Sequence, residues 1–361
     1  MAYMTDMNSS PKIYYSEEVN RFLKKFSCKH SLRSLSQLIE NLHNLKVLVM
    51  GEAIIDDYHF GATIGKSAKE PIIALKYLSE EAYAGGSLAV ANHLASFCKE
   101  VELFAMIGDQ NSHEKFIREN LKKNVQPIFF TKRGSPTIIK RRFLEDGSFR
   151  KLLEFYVIND SQLDKDQNAE IVKQLEALLP RYDLVICADF GHGMFNQQVR
   201  YFLTRRAKFL AINTQANAAN FGYHTISAYK KADYICLDDR EVRLECKDRA
   251  GELAEVAKKI FKKIRCQQMI ITLGPNGSIG YKNQSRITLV RVPSVAIKGT
   301  DSVGAGDALF AVTSALLYTK APLEAVCFIG NAVGALALGW LGNKKSVTKK
   351  DLLGYIKTIL A

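Results

Sequence analysis

Cysteine is sparse in this chain, and none of it is arranged to bridge or to bind metal. The seven stand at Cys28, Cys98, Cys187, Cys236, Cys246, Cys266 and Cys327 among 361 residues. No two form the close pair of a zinc site, and an odd, scattered set is not the framework of a small secreted fold. They read as free thiols in a reducing cytoplasm. The first residues, Met1 to Ser10, are polar and lack an apolar core followed by a cleavage site, so no secretory leader is expected. No internal repeat and no low-complexity linker breaks the chain. Its length allows one large α/β domain or two ordinary ones, and 47% apolar with 24% charged residues is a soluble globular composition.

Acidic residues are in deficit, 37 against 50 basic ones, for a net charge of +13. A basic protein attracts phosphates of any kind. The Lys and Arg residues are nevertheless spread along the chain, without the binding motifs and interleaved aromatics of nucleic-acid proteins, and no nucleic-acid partner is expected. The tightest cluster, Lys140-Arg141-Arg142 with Arg150 and Lys151, flanks a hairpin turn at Glu145-Asp146-Gly147-Ser148. It is either a solvated surface or a site for an anionic ligand. One segment, Ala321 to Gly342 with Glu324 as its sole charge, has the length and apolarity of a crude membrane span. Its small residues and central Asn331 favour a buried helix, and no membrane partner is expected.

Short continuous apolar runs at Lys46–Met50, Leu184–Cys187, Phe209–Ile212, Tyr234–Cys236 and Met269–Thr272 are of the kind buried on both faces of a sheet. Helical patterns lie between them, including Asp164 to Leu179 and Glu252 to Ile264. The order implies an α/β fold, a doubly wound and mainly parallel sheet flanked by helices. Residues from about 54 to 78 and 135 to 158 show shorter β-rich runs with turn residues, which suggests a small β-sheet lid over the sheet's C-terminal edge. Residues 1–44 form an N-terminal helical extension: Val19, Phe22, Leu23, Phe26, Leu32, Leu35, Leu38, Ile39 and Leu42 recur near helical spacing. Its apolar face packs either on the core or on a partner. The remainder, 45–361, is the main domain.

The most informative segment is Gly299-Thr300-Asp301-Ser302-Val303-Gly304-Ala305-Gly306-Asp307, which runs directly into apolar Ala308 to Val312. It reads as a turn opening a helix, whose first N–H groups are unpaired donors at the positive end of the dipole. Asp307 beside such donors is badly placed to hold a phosphate and well placed to take a proton from a hydroxyl. Alone, the motif also fits a glycine-rich loop with a capping aspartate.

This segment resembles the Asp-Thr-x-Gly-Ala-Gly-Asp signature of the ribokinase-like, or PfkB-type, carbohydrate kinases, with Ser302 in place of threonine. Further resemblances follow in the same order over residues 45 to 360. Gly51 to Tyr58 looks like the first strand with its substrate aspartate, Lys66 to Pro71 leads into a lid strand, and Ala84-Gly85-Gly86-Ser87 looks like the family's sugar-side glycines. Ala188-Asp189-Phe190-Gly191-His192-Gly193 looks like the strand-end motif of the D-glycero-D-manno-heptose-7-phosphate kinases, the branch the pattern most resembles.

The resemblance implies ATP and Mg²⁺, a sugar or sugar-phosphate acceptor, and a homodimer closed through the lids. It implies Asp307 as the base, the amides of Gly304, Ala305 and Gly306 as an anion hole, and Asp56, Gly85, Gly86, Lys140 and Arg142 on the sugar side. Thr272, Gly274, Gly277, Asp301 and Asn331 would line the nucleotide site, with Glu241 and Asp238 near the metal. In the heptose kinases the acceptor would be an anomeric hydroxyl, on the route to nucleotide-activated heptose. Many bifunctional relatives carry a nucleotidyltransferase domain after the kinase; the chain ends at Ala361, and such an activity is expected on another protein.

Several positions depart from the pattern. Ala89 stands where the family carries asparagine, His93 where a second asparagine is usual, and Asp238 where an amide is expected in Asn-x-x-Glu. Losing a buried amide that binds a hydroxyl redirects substrate choice. His93 either replaces it or packs in its helix. Asn213 to Asn220 stands in place of Asp-Pro-Lys, either lining a polar site or forming a solvated loop. The departures leave open a kinase for another sugar or a nucleoside, and a non-catalytic sugar-sensing or scaffolding subunit.

Overall fold

Val47 and Val49 join one buried apolar cluster while Leu48 and Met50 join another. Alternation of this kind, with both sets buried, belongs to a strand covered by helices on both faces. The computed structural model, which describes residues 15–297 and 299–361, builds the molecule around that strand, β1 (Val47–Lys66). It is followed by β2 (Ile73–Gly86), β3 (Val101–Gln110), β4 (Val125–Pro136), β5 (Ile138–Glu145), β6 (Lys151–Val157) and β7 (Leu184–Asp189). Then come β8 (Leu210–Thr214), β9 (Lys231–Asp238), β10 (Arg265–Thr272), β11 (Ser278–Asn283) and β12 (Ile287–Val292).

The main sheet has the order β12-β11-β10-β9-β8-β7-β1-β3-β4. It is parallel from β10 to β4, and β11 and β12 add antiparallel strands at one edge. The chain winds outward from β1 through β3 to β4, then returns to the other side of β1 and proceeds through β7 toward β12. The winding reverses between β1 and β7, and the crevice at the carboxyl ends of such strands is where open α/β sheets bind ligands.

One face carries α1 (Glu17–Lys29), α2 (Leu32–Glu40), α3 (Ser87–Leu94) and α4 (Glu114–Asn120); the other carries α5 (Lys165–Leu178), α6 (Gln197–Arg206), α7 (Asp239–Cys246) and α8 (Leu253–Lys263). The first face is completed by α9 (Ala305–Tyr318), α10 (Leu323–Ala337) and α11 (Lys349–Leu360). The apolar run expected to be a buried helix is α10, and among the described residues no helix is long and apolar enough to cross a membrane.

The first strand does not stop at Met50. Beyond Ala53 it leaves the main sheet and becomes the centre of the lid, whose strands lie in the order β2-β1-β5-β6. Of the extension, residues 1–14 lie outside the described residues, Met1 to Ser10 among them. From Tyr15 onward it packs on the core: the Phe26 ring lies 4.2 Å from that of Phe328 in α10, and the Tyr15 hydroxyl donates to the Val295 carbonyl at 2.9 Å.

Candidate active site

The chain enters α9 at Gly304, whose φ of 83° is left-handed and suits glycine. An added Cβ there would also clash with Asn343 Oδ1. No side chain caps this helix. Ala305 N–H reaches only the Ser302 carbonyl, at 3.4 Å, and the first-turn amides of Gly306 and Asp307 have no partner within the helix. All four residues line a cleft of about 810 Å³ between the lid and the carboxyl ends of the main strands.

Asp307 is 8% exposed, and its carboxyl is pushed up to about 7. Burial is the main cause, the Asp56 carboxylate adds to it, and Lys140 opposes it. A buried base that titrates near neutrality is matched to accepting a hydroxyl proton.

Asp56 sits where β1 enters the lid. Arg142 Nη1 donates to its Oδ1 at 2.7 Å, and Asn343 Nδ2 donates to its Oδ2 at 2.8 Å. Gly85 does not line the cleft; its α-carbon lies so close to Asp56 Oδ2 that a Cβ would collide with it. Gly86 lines the cleft itself.

Parallel pairing of β1 with β5 sets Lys140 beside Asp56 and Arg142 beside Tyr58, on one lid face. Arg142 is largely spent on structure, since its Nε also donates to Glu154 at 3.0 Å. Lys140 differs. Its ammonium lies 5.6 Å from the Tyr156 ring centroid and 5.4 Å from that of Phe190, with no hydrogen bond to it among the described residues. Burial lowers its pKa. Of the two cations expected to meet an anionic sugar, Lys140 is the one left unpaired.

Thr272, Gly274, Gly277 and Asn331 line the opposite end of the same cleft. Asn331 Nδ2 donates to the Val292 and Pro293 carbonyls, both at 3.1 Å, so its amide braces the wall. Asp301 also lines the cleft, yet its oxygens are filled by protein donors: Lys151 Nζ at 2.6 Å, the Tyr58 hydroxyl and Gly342 N–H at 3.1 Å each, and Val303 N–H at 3.2 Å.

Asp238 and Glu241 form a capping box at the start of α7, each side chain accepting from the other's backbone N–H. Glu241 accepts a further amide from Ala216 at 3.0 Å and is pushed up to about 8 by burial and by Asp238. Asp238 lines the cleft and Glu241 stands behind it. Among the described residues no three His, Cys, Asp or Glu side chains converge as a metal cage.

Two of the departures from the family pattern, His93 and most of the Asn213 to Asn220 loop, resolve into packing. His93 is buried in α3, accepts from Val347 N–H at 3.2 Å, and is pushed down to about 3 by burial, so it is a neutral core residue. Ala89 is buried on the same helix. Asn217 and Asn220 both donate to the Phe190 carbonyl at 2.8 Å, and Asn213 donates to that of Cys236 at 2.9 Å; of this loop only Gln215 reaches the cleft.

Two features had no signal in the sequence. Asn343 lies in an undistinguished loop and becomes a partner of Asp56. Glu52, fully buried, accepts the amides of Phe190, His192 and Met194 and is pushed up to about 7 by burial and by neighbouring Asp189. It fixes the turn after β7 that forms the floor under Lys140.

A doubly wound sheet, a β lid and a glycine-opened helix presenting a buried carboxylate are together the parts of a sugar phosphotransferase. The chain belongs to the pfkB family of carbohydrate kinases, whose model matches residues 44–350. Members of that family are phosphotransferases with an alcohol group as acceptor. Among curated proteins it is 25% identical over 311 residues to the Bifunctional protein HldE of Shewanella sp. strain ANA-3, a match covering 85% of this chain and 63% of the relative. The chain thus spans less than two thirds of that relative's length. Its fold is similar to phosphofructokinase-2 from Escherichia coli in complex with potassium (TM-score 0.69, 15% identity, 87% of this chain and 99% of that one). It is also similar to ribokinase from Thermotoga maritima (0.66, 17%, 87% and 99%) and to Arabidopsis thaliana ribokinase complexed with ribose and ATP (0.64, 16%, 87% and 99%).

Proposed function

We propose that this kinase transfers the γ-phosphoryl group of ATP to a phosphorylated sugar, with heptose 7-phosphate as the acceptor and its anomeric hydroxyl as the nucleophile. The observation that carries the reading is Lys140, a buried cation left unpaired on the sugar side of the cleft that holds Asp307. A buried ammonium without a hydrogen-bonded partner is costly, and the nearby Asp56 and Asp307 carboxylates offset only part of that cost, which leaves it suited to a further anion. The resemblance to heptose-7-phosphate kinases and the similarity to the HldE protein support the heptose.

In this reading Asp56 accepts hydrogen bonds from sugar hydroxyls through the lone pairs that Arg142 and Asn343 leave free. Asp307 takes the proton of the attacking hydroxyl, and the Gly304 to Gly306 amides stabilise charge on the phosphoryl group in flight. A magnesium ion, when bound with ATP, neutralises phosphate charge and keeps much of its water shell. Asp238 and Glu241, with carboxylate lone pairs beyond those their capping box uses, fit a hydrated ion better than a bare one. Ala89, which offers no amide to a hydroxyl, favours a second reading in which the acceptor is another sugar or a nucleoside.

We also assign a homodimer through the lid. Ile64, Tyr77, Leu153 and Phe155, on lid strands, are 54–69% exposed, a density of apolar surface that soluble proteins tend to cover. The free thiols and this chemistry suit a cytoplasmic location.

The test is mass-spectrometric detection of transfer from Mg-ATP to heptose 7-phosphates, hexose phosphates, free sugars and nucleosides, with Asp307→Asn as control. Transfer to heptose 7-phosphate alone is expected. Exclusive transfer to an uncharged sugar or nucleoside would overturn the role given to Lys140.

A further inference from the structure

Gly342, Asn343 and Lys344, between α10 and α11, grip three parts of the cleft in succession. Gly342 N–H donates to Asp301 on the loop before α9 at 3.1 Å, Asn343 Nδ2 to Asp56 at 2.8 Å, and Lys344 Nζ to Glu81 of lid strand β2 at 2.7 Å. The middle contact is the informative one. A carboxylate only accepts, so the Asn343 amide must turn its NH₂ toward Asp56. Its Oδ1 is thereby driven against the α-carbon of Gly304, where it is buried and has no hydrogen-bond partner. A buried acceptor left unsatisfied costs stability and offsets much of what the bond to Asp56 contributes.

We propose that Asn343 is a positioning residue for the acceptor sugar, fixing the plane of the Asp56 carboxylate against the Gly304 turn. This rests on the reading that Asp56 anchors the sugar. With Arg142 on one oxygen and Asn343 on the other, the carboxylate cannot rotate, and its remaining lone pairs point in fixed directions. The spacing between the sugar anchor and the helix turn that receives the phosphoryl group is then set by one side chain, which touches both. Without Asn343, Arg142 supplies the one hydrogen bond left to the Asp56 carboxylate among the described residues, and Oδ2 is free to turn away from the Gly304 side.

Steady-state kinetics with heptose 7-phosphate and Mg-ATP test it. Asn343→Ala should raise the KM for heptose 7-phosphate about 10- to 100-fold, as expected for a lost hydrogen bond to a charged group, and leave the KM for ATP within about twofold. Asn343→Ser, which keeps a short donor, should recover part of the loss. An equal rise in both constants, or no rise in either, overturns the proposal. Crystal structures of the protein and of Asn343→Ala give a readout that needs no substrate: the Asp56 carboxylate should be rotated in the variant, and an unchanged carboxylate plane overturns the proposal. A rotated carboxylate in a protein that phosphorylates no sugar upholds the positioning of Asp56 and sinks the kinase reading instead.

Discussion

Lys151, on lid strand β6, and Asp301, on the loop leading into α9, form an ion pair of 2.6 Å. The lid is thereby fastened to the segment that presents the anion-binding amides. Burial alone would push the Asp301 carboxyl up, but Lys151 and the amides of Val303 and Gly342 outweigh it and hold the group below its usual range. The ionised form therefore stabilises the fold above the ordinary carboxylate pKa, and that contribution is lost as pH falls through the lowered value.

Lys151→Met should destabilise the protein by about 1–3 kcal/mol at pH 7, because it leaves a buried carboxylate with neutral donors only. Lys151→Arg should keep most of the stability. Urea denaturation at pH 7 and near pH 3 measures this, and the gap between Lys151→Met and the parent should shrink at the lower pH. A gap that is constant with pH contradicts the assignment.

Asp307 titrates at about 7, so the rate should report it. As a base it acts only when ionised, and kcat/KM should rise about tenfold per pH unit below this value and level off above it. The same shift has the opposite sign for stability: a raised carboxyl pKa favours the fold below the ordinary value and that advantage is lost as pH climbs through 7. Asp307→Asn should then melt a few degrees higher than the parent at pH 8, with little difference at pH 4, while turnover falls by roughly 10²–10⁴.

Gly304 and Gly306 are two residues apart and should respond oppositely to alanine. At Gly304 the left-handed backbone and the Asn343 contact both resist a Cβ, so Gly304→Ala should cost about 1–3 kcal/mol. Around Gly306 nothing lies within 4 Å of an added Cβ, and Gly306→Ala should leave stability unchanged or raise it by up to about 1 kcal/mol. Thermal melts of the two variants compare them directly.

The lid face predicts its own perturbation. If the proposed lid dimer forms, Phe155→Asp or Leu153→Asp should convert it to a monomer in sedimentation velocity, since each charge would fall within the apolar surface the partner would cover. A parent protein that sediments as a monomer contradicts the assignment.

What was legible in the sequence was whatever is written locally. The apolar runs of β7 to β10 carry their own burial, and the Gly299–Asp307 segment carries its own turn, helix start and carboxylate. That the first strand and the lid run from about residue 54 are one continuous strand was not legible, because the apolar run ends at Met50 and the lid part, with Ile54, Asp56 and Tyr58 on one face, mixes apolar and charged residues. The antiparallel edge β11–β12 was missed because its strands alternate apolar and polar residues without a continuous run. Roles that depend on partners distant in the chain were also hidden. Arg142 reads as a ligand for an anion until Asp56 and Glu154 occupy it, Asp301 reads as a nucleotide contact until Lys151 and Tyr58 surround it, and Asn343 has no pattern at all. His93 is the converse case: a histidine at a family asparagine position invites a functional reading, and its Val347 partner and burial make it packing.

The most direct test of the central claim is the pH dependence of phosphoryl transfer from Mg-ATP to heptose 7-phosphate by the parent protein and by Asp307→Asn, followed by mass spectrometry. The account predicts a phosphorylated product whose rate of formation rises through pH 7 in the parent and is nearly absent at every pH in the variant. Equal product from both proteins, or a parent rate that is flat between pH 5 and 8, would contradict it.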